Sequence, residues 1–409
     1  MSYHNFSPDF ADQLAHDLAQ RWESPYRCQD SDLIRRDMNR DTSPRLNRTA
    51  FGRDIDKIIH MPAYNRYTGK TQVFSFIRND DISHRGLHVQ LVARTATNIA
   101  RMLGLNIELT EAIALAHDLG HTPFGHAGEK FLDDLYQAHA GRYFHHNVHS
   151  VRVLDTLYTR NMSLQTLDGV ICHNGENTQK VFKRGNITTF DQFDKMIERC
   201  YTEEGAVGTL RASTLEGCVV RISDMIAYVG KDRQDALKTK SITTDEFFTS
   251  GSLGTQNAEI LNNLTVDIVE ASYGKNHIEM SEAAYQSLAT AKAENFERIY
   301  LTDEQALVYD NEIKPMFSEL YDVLYRDLTE ENLTSPIFAH HIEPLEKSRA
   351  RYGITEHYTE APPVDIVVDY LASMTDEYFL ALHKLICPDS THSVTFKGYF
   401  DHLNYKPLD

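Results

Sequence analysis

The amino-acid sequence predicts a mainly α-helical chain on three observations. Apolar residues recur at helical spacing, as in Val92, Ala96, Ile99 and Leu103. Strand signals are few, confined to Gln72 to Phe76 and Ser393 to Phe396. No internal repeat or low-complexity tract breaks the pattern.

In chain order, residues 1–48 read as a polar segment of short helices and loops that packs on the main body. Its most loop-like part runs from Asp30 to Asn47 and ends near Pro44. Short apolar runs follow from Thr49 to Ile77, with a turn at Tyr67 to Thr71. Ser83 is a candidate cap for a long helix that Gly104 ends. Asn106 caps the next helix, Leu109 to Leu119, which Gly120 breaks; Pro123 keeps residue 122 out of the α region. Further helices are expected from about Gly125 to Ala138, Val148 to Asn161, Leu164 to Cys172 and Leu215 to Lys231. Beyond residue 240 the segments 256–272, 279–299, 303–329 and 363–386 read as helical. The expected division is an N-terminal segment 1–48, a core 49–240 and a C-terminal helical region 241–409 belonging to the same globular unit.

Composition bounds the function. The 409 residues are 41% hydrophobic and 24% charged, ordinary for a globular protein, and no apolar run is long enough to span a membrane. No secretory signal is visible in residues 1–20. The five cysteines are scattered and form no CxxC, which fits a reducing cytoplasm and argues against a cysteine-based zinc site. A net charge of −18 disfavours nucleic acid as the main partner. An anionic substrate stays compatible with this charge if a metal and a few basic side chains focus positive potential locally.

The stretch Glu111 to Glu129, EAIALAHDLGHTPFGHAGE, organises the rest. Seven of the 20 histidines fall between His117 and His149, far more than an even spread would place there. Leu14 to Leu18 repeats the pentapeptide LAHDL of Leu115 to Leu119, so a His-Asp pair alone means little; the first copy reads as a surface helix turn. Arg85 and His88 lie three apart at the start of one helix and point to one side. His117 and Asp118 close a second helix. Asp224, Tyr228 and Asp232 fall within roughly an 80° arc of a third. Imidazole and carboxylate together suit a divalent ion such as Mn²⁺, Fe²⁺, Ni²⁺ or Zn²⁺. His121 and His126 flank the turn Thr122 to Gly125, and His126 and Glu129 share a helix face. Such a pair suits proton transfer to a leaving oxygen or the handling of an attacking water. Taken singly, each residue has a plain structural reading: His88 as a helix histidine, Asp224 as a polar helix position, Arg85 as a surface charge, and His145, His146 and His149 as a solvated turn.

The order His88, His117-Asp118, Asp224 resembles the H…HD…D pattern of the HD-domain metal-dependent phosphohydrolases. Arg85 to His88 is similar to the R-x-x-H of the deoxyguanosinetriphosphate triphosphohydrolase branch, and Ala114 to His126 resembles that branch's signature. Phe144 to Asn147, Asp224 to Tyr228 with Asp232, Gly69 to Phe74, and Asp369 to Asp376 resemble its further motifs, so the likeness extends over roughly residues 50 to 385. The resemblance implies an HD-domain helical core with added N- and C-terminal helical regions. It implies cleavage of deoxynucleoside triphosphates, dGTP among them, to deoxynucleoside and tripolyphosphate. It also implies one divalent ion (Mn²⁺, Mg²⁺, Fe²⁺, Ni²⁺ or Zn²⁺) on His88, His117, Asp118 and Asp224, with His126 and Glu129 as the acid–base dyad. Arg85, His121 and His146 would contact phosphates, Tyr228 and Asp232 the sugar, and the protein would form a homo-oligomer in the cytoplasm. The chain departs from the pattern at Thr68, where the family carries a Gln near the sugar, so ribonucleotide turnover is expected here. Two other readings stay open: an HD phosphodiesterase or 5′-nucleotidase acting on another phosphoester, and a non-catalytic dNTP sensor.

Overall fold

A computed structural model describes residues 3–40, 48–174, 179–242, 244, 248–249, 251–300 and 303–401. The loop expected from Asp30 to Asn47 is partly outside these: residues 41–47, with Pro44, are not among the described residues. The helices are α1 (Pro8–Ala19), α2 (Gly52–Ile59), α3 (Pro62–Asn65), α4 (Arg85–Met102), α5 (Ile107–Ala116), α6 (Gly125–Ala140), α7 (His146–Val151), α8 (Leu164–Ile171), α9 (Phe190–Thr202), α10 (Leu215–Lys238), α11 (Asn257–Ser272), α12 (Glu282–Asn295), α13 (Asp303–Val308), α14 (Lys314–Thr329), α15 (Glu343–Arg351), α16 (Pro363–Ser373) and α17 (Asp376–Ile386). The chain is mainly helical, as its periodicity predicts. The regular strands among the described residues are β1 (Val181–Lys183) and β2 (His277–Glu279), an antiparallel pair.

Several boundaries differ from expectation for identifiable reasons. Ser83 does not cap α4: its N–H is drawn to Asp235 Oδ2 at 3.0 Å, and His84 occupies the cap position. Asn106 does cap α5, its side chain accepting the Leu109 N–H at 3.1 Å. The helix expected from Val148 to Asn161 is a short α7 that widens into a π turn over Arg152–Leu157, after which Thr159 and Asn161 take positive φ. The segment 363–386 is two helices, because Met374 leaves the helical region and Thr375 caps α17. Gln72 to Phe76 and Ser393 to Phe396 form no strand; the chain pairs instead at isolated bridges, Thr71 with His84 and Ile77 with Lys397.

One apolar cluster reaches from Cys28 to Leu382. Its centre is α5, every side chain from Leu109 to Ala116 except Glu111 being buried, with α4 and α10 packed against it. The N-terminal segment is held to this centre by a buried ion pair. Arg35 meets Asp54 at 2.6 Å, and Asp54 also accepts the Ser163 N–H and hydroxyl and the Thr166 hydroxyl at the start of α8.

A second buried carboxyl carries a prediction. Asp168, on α8 and 1% exposed, accepts the Ser213 N–H at 2.6 Å, yet burial pushes it up to about 7. An unfolded Asp titrates near 4. Between about pH 4 and 7 the unfolded chain is therefore ionised while the native chain holds the proton. The native state binds more protons there, so stability falls as pH rises through this window and levels off above it. Each tenfold gain in proton affinity is worth about 1.4 kcal/mol, so the loss is a few kcal/mol. Asp168→Asn should flatten this part of the profile, read by urea unfolding at several pH values between about 4 and 8; an unaltered slope in the variant would assign the effect elsewhere.

Candidate active site

The C-terminal end of α5 is where the site is built. His117, fully buried, follows the last helical residue, and its Nδ1–H donates to the Ala114 carbonyl at 2.6 Å. That bond commits the lone pair of Nε2 to the opposite direction, where the atom is buried and without a hydrogen-bond partner. Burial pushes His117 down to about 4, so the ring is neutral and that lone pair is available near pH 7. His88, one turn into α4, brings Nε2 to 3.0 Å from Asp224 Oδ1 on α10. His117 Nε2 lies 3.8 Å from the same Asp224 oxygen and 3.5 Å from Asp118 Oδ1. Burial acts to raise Asp224, but the His88 hydrogen bond and the nearby rings outweigh it and hold the carboxyl at about 2.

The donors His88, His117, Asp118 and Asp224 thus converge from α4, the end of α5 and α10. A neutral imidazole with an orphaned buried nitrogen, beside two ionised carboxylates, is a donor set that fits a divalent ion. Arg85 is also drawn in, but it is 3% exposed and its guanidinium donates to Asp118 Oδ2.

Sequence reasoning missed one member of this group. His173 follows α8, is 1% exposed, and repeats the arrangement of His117: its Nδ1 donates to the carbonyl three residues back, Val170, at 2.6 Å. Its Nε2 then points at Asp118 Oδ1, 3.6 Å away, and at His146 Nε2, 3.1 Å away. A single His after an apolar helix offered no spacing by which to recognise it.

Beside this group lies a second one. The turn after Asp118 is tight because Gly120 has no side chain: a Cβ there would sit 2.2 Å from Ser150 N and 2.4 Å from the His146 carbonyl, so α7 lies directly on the turn. Ser150 fastens the contact, its Oγ donating to the His117 carbonyl at 2.6 Å and accepting the Gly120 N–H at 2.8 Å. Phe124 then takes the left-handed conformation, φ +61°, uncommon for a residue with a side chain. It is held there from both ends. Its N–H donates to Asp376 Oδ1 at 3.0 Å, and its buried ring sits between Phe76 and Phe379. Lys70, also buried, donates to the carbonyls of His121 and Ala372. The motifs around Lys70 and Asp376 thus buttress the turn that carries His121 and His126.

Glu129 is shared. Its carboxylate lies 3.2 Å from His126 Nδ1, but it also accepts the His146 N–H at 2.8 Å and sits 2.8 and 2.9 Å from His146 Nδ1. Burial acts to raise Glu129; His146 and His126 beside it prevail and hold it well below the usual carboxylate range. His126 is the open member, its side chain 66% exposed. His121 stacks on His146 at 4.3 Å between ring centroids, and burial together with Arg85 and His146 keeps it neutral, well below the ordinary histidine value.

Tyr228 is partly buried on α10, one turn after Asp224. Asp232 is 3% exposed and accepts the Tyr300 hydroxyl at 2.5 Å; burial pushes it up to about 7. Thr68 is exposed, and its hydroxyl donates to the Asn65 carbonyl at 2.9 Å.

A family model described as "HD domain" matches residues 85–228, the span from Arg85 to Tyr228 that holds both groups. A deoxyguanosinetriphosphate triphosphohydrolase-like protein of Desulfatibacillum aliphaticivorans is 32% identical over 378 residues, covering 89% of this chain and 94% of that protein. One from Caldanaerobacter subterraneus is 30% identical over 380 residues, covering 91% and 95%. One from Rhodopseudomonas palustris is 40% identical over 222 residues, covering 50% of this chain and 51% of that protein.

Proposed function

Because the chain belongs to the deoxyguanosinetriphosphate triphosphohydrolase-like family of HD-domain proteins, we propose that it hydrolyses deoxynucleoside triphosphates, dGTP among them, to deoxynucleoside and tripolyphosphate. One observation carries the reading: the orphaned, neutral Nε2 of His117 faces Asp118, Asp224 and His88, with the Glu129-linked histidines alongside. His88, His117, Asp118 and Asp224 would hold one divalent ion, which when bound supplies Lewis acidity at an α-phosphate oxygen and a more acidic water.

The rest falls to the chain's own residues. Water adds at the α-phosphorus and the bond to the 5′ oxygen breaks, so that oxygen needs a proton. His126, open to solvent and oriented by Glu129, would give it, and the proton shed by the attacking water would leave to solvent. Glu129, kept ionised, orients both His126 and His146. Neutral His121 binds phosphate by hydrogen bonding and not by charge, leaving Arg85 as a fixed positive group near the phosphates. Tyr228 and Asp232 face the sugar in this reading, and the assembly is a homo-oligomer in the cytoplasm.

A specific observation keeps a second reading in play. His121, His126, Glu129 and His146 present ligand atoms all within 4.8 Å of one another, which suits a second ion and a two-metal phosphodiesterase. Product chromatography separates the two. Tripolyphosphate with deoxynucleoside supports the triphosphohydrolase; pyrophosphate or orthophosphate with none of it overturns that assignment.

Thr68 adds a prediction on selectivity. A hydroxyl already engaged with Asn65 is too short to read a sugar as a Gln does. A site that excludes one hydroxyl by shape alone discriminates by about 10²-fold or less. Ribonucleotide turnover should be measurable, and Thr68→Gln should raise the kcat/KM ratio of dGTP to GTP. No GTP turnover together with an unchanged ratio would show that position 68 does not read the sugar.

A further inference from the structure

A second group of metal-binding side chains lies at the far end of α17. That helix starts at Asp376, which holds the Phe124 turn. His383 and Cys387 come seven and eleven residues later, about 10–16 Å along the axis, and their i, i+4 spacing puts them on one face. Glu319 of α14 meets them there. His383 is 4% exposed, with Nε2 2.6 Å from Glu319 Oε2. Ser390 Oγ donates to the same oxygen at 2.8 Å, and His392 Nε2 is 3.8 Å from Glu319 Oε1. The ligand atoms of Glu319, His383 and Cys387 all lie within 4.8 Å of one another.

A plain His–Glu ion pair would need one partner for the carboxylate. Here one imidazole, a thiol and a carboxylate converge from α14 and α17, and His392, whose Nδ1 also lies 3.7 Å from Glu312 Oε2, approaches the other Glu319 oxygen. We propose that Glu319, His383, Cys387 and His392 bind a tetrahedral transition-metal ion, Zn²⁺ by donor type.

The protons balance simply. The Cys387 thiol releases its proton to water. The His383 ring, which donates from Nε2–H to Glu319 without an ion, loses that hydrogen to water and takes one at Nδ1, so the freed Nε2 lone pair replaces the hydrogen bond. Ion–ligand distances of about 2.0–2.3 Å ask the closest pair to part by only about 1 Å. Without an ion, burial and the Glu319 charge push the thiol up; a divalent cation reverses that preference.

The site's place in the fold gives it a structural role. The chain beyond His392 runs back to the segment before α4. Lys397 N–H donates to the Phe76 carbonyl and Arg78 N–H to the Lys397 carbonyl, each at 2.9 Å. Phe396 packs against Phe76, which stacks on Phe124. An ion at Cys387 and His392 would fix the root of this strap.

Cobalt titration of the full-length protein tests the proposal independently of the catalytic reading, because no cysteine belongs to the constellation of His88, His117, Asp118 and Asp224. A thiolate-to-Co²⁺ charge-transfer band in the near ultraviolet should appear in the wild type and saturate within two equivalents, since the His88, His117, Asp118 and Asp224 constellation would take an ion of its own. The band should persist in Asp224→Asn, vanish in Cys387→Ser, and be displaced by Zn²⁺. His392→Ala should weaken the site by at least about 10-fold. In the unmodified sequence, Zn²⁺ should slow alkylation of Cys387 by iodoacetamide, read by mass spectrometry. No thiolate band in the wild type, a band that survives Cys387→Ser, or alkylation of Cys387 indifferent to Zn²⁺ overturns the site.

Discussion

His117→Ala is expected to abolish both hydrolysis and stoichiometric binding of a divalent ion, while His16→Ala leaves both intact. The two histidines sit in the same pentapeptide, LAHDL, so local sequence is controlled. Only the second copy lies where α4, α5 and α10 meet. His117 is fully buried with its Nδ1 tied to Ala114, whereas His16 is exposed on α1. Losing a group that merely orients a metal ligand costs roughly 10–100-fold in affinity or activity; losing the ligand itself should exceed that. Equal metal content in the two variants, measured by elemental analysis after dialysis, would dismiss the constellation as an ion site.

Glu129→Gln should lower kcat by about 10²–10⁴-fold, and by more than His126→Ala. The carboxylate holds two rings, from α6 and α7, while His126 touches only one side of it. A neutral amide keeps the shape of Glu129 but removes its negative charge, and it can accept at only one atom. KM for the nucleotide should change less than kcat, because Glu129 itself is turned toward the histidines. A Glu129→Gln protein with unchanged kcat, or one weaker only in KM, would remove the carboxylate from proton transfer.

What could be read from the sequence followed a physical pattern. His88, His117, Asp118, Asp224, His126 and Glu129 stood out in the sequence because their order resembles a family pattern, and the helices that carry them bring the first four to one place and the last two to another. His173 did not, since a lone histidine after an apolar run looks like core; only the meeting of α5 and α8 aims its ring at Asp118. The His126–Glu129 contact was visible as an i, i+3 pair, but the further attachment of Glu129 to His146 comes from another helix. Helix ends were misplaced where a distant partner intervened, as Asp235 does at Ser83. The strands β1 and β2 are three residues each, too short to alternate visibly.

The matched endings of α5 and α8 bear on the order in which ligands arrive. Each helix terminates at a histidine bonded to the carbonyl three residues back, and each directs its C-terminal end toward Asp118. A helix C-terminus carries about half a negative charge, which adds to the carboxylates of Asp118 and Asp224. Against that field a free triphosphate is repelled, and Arg85 is already engaged by Asp118. In the proposed reaction a cation would therefore be the first guest, or would enter as one body with the nucleotide. Depleting it would register as lost nucleotide affinity and not merely as lost turnover, a difference that calorimetry on chelator-treated protein reads directly.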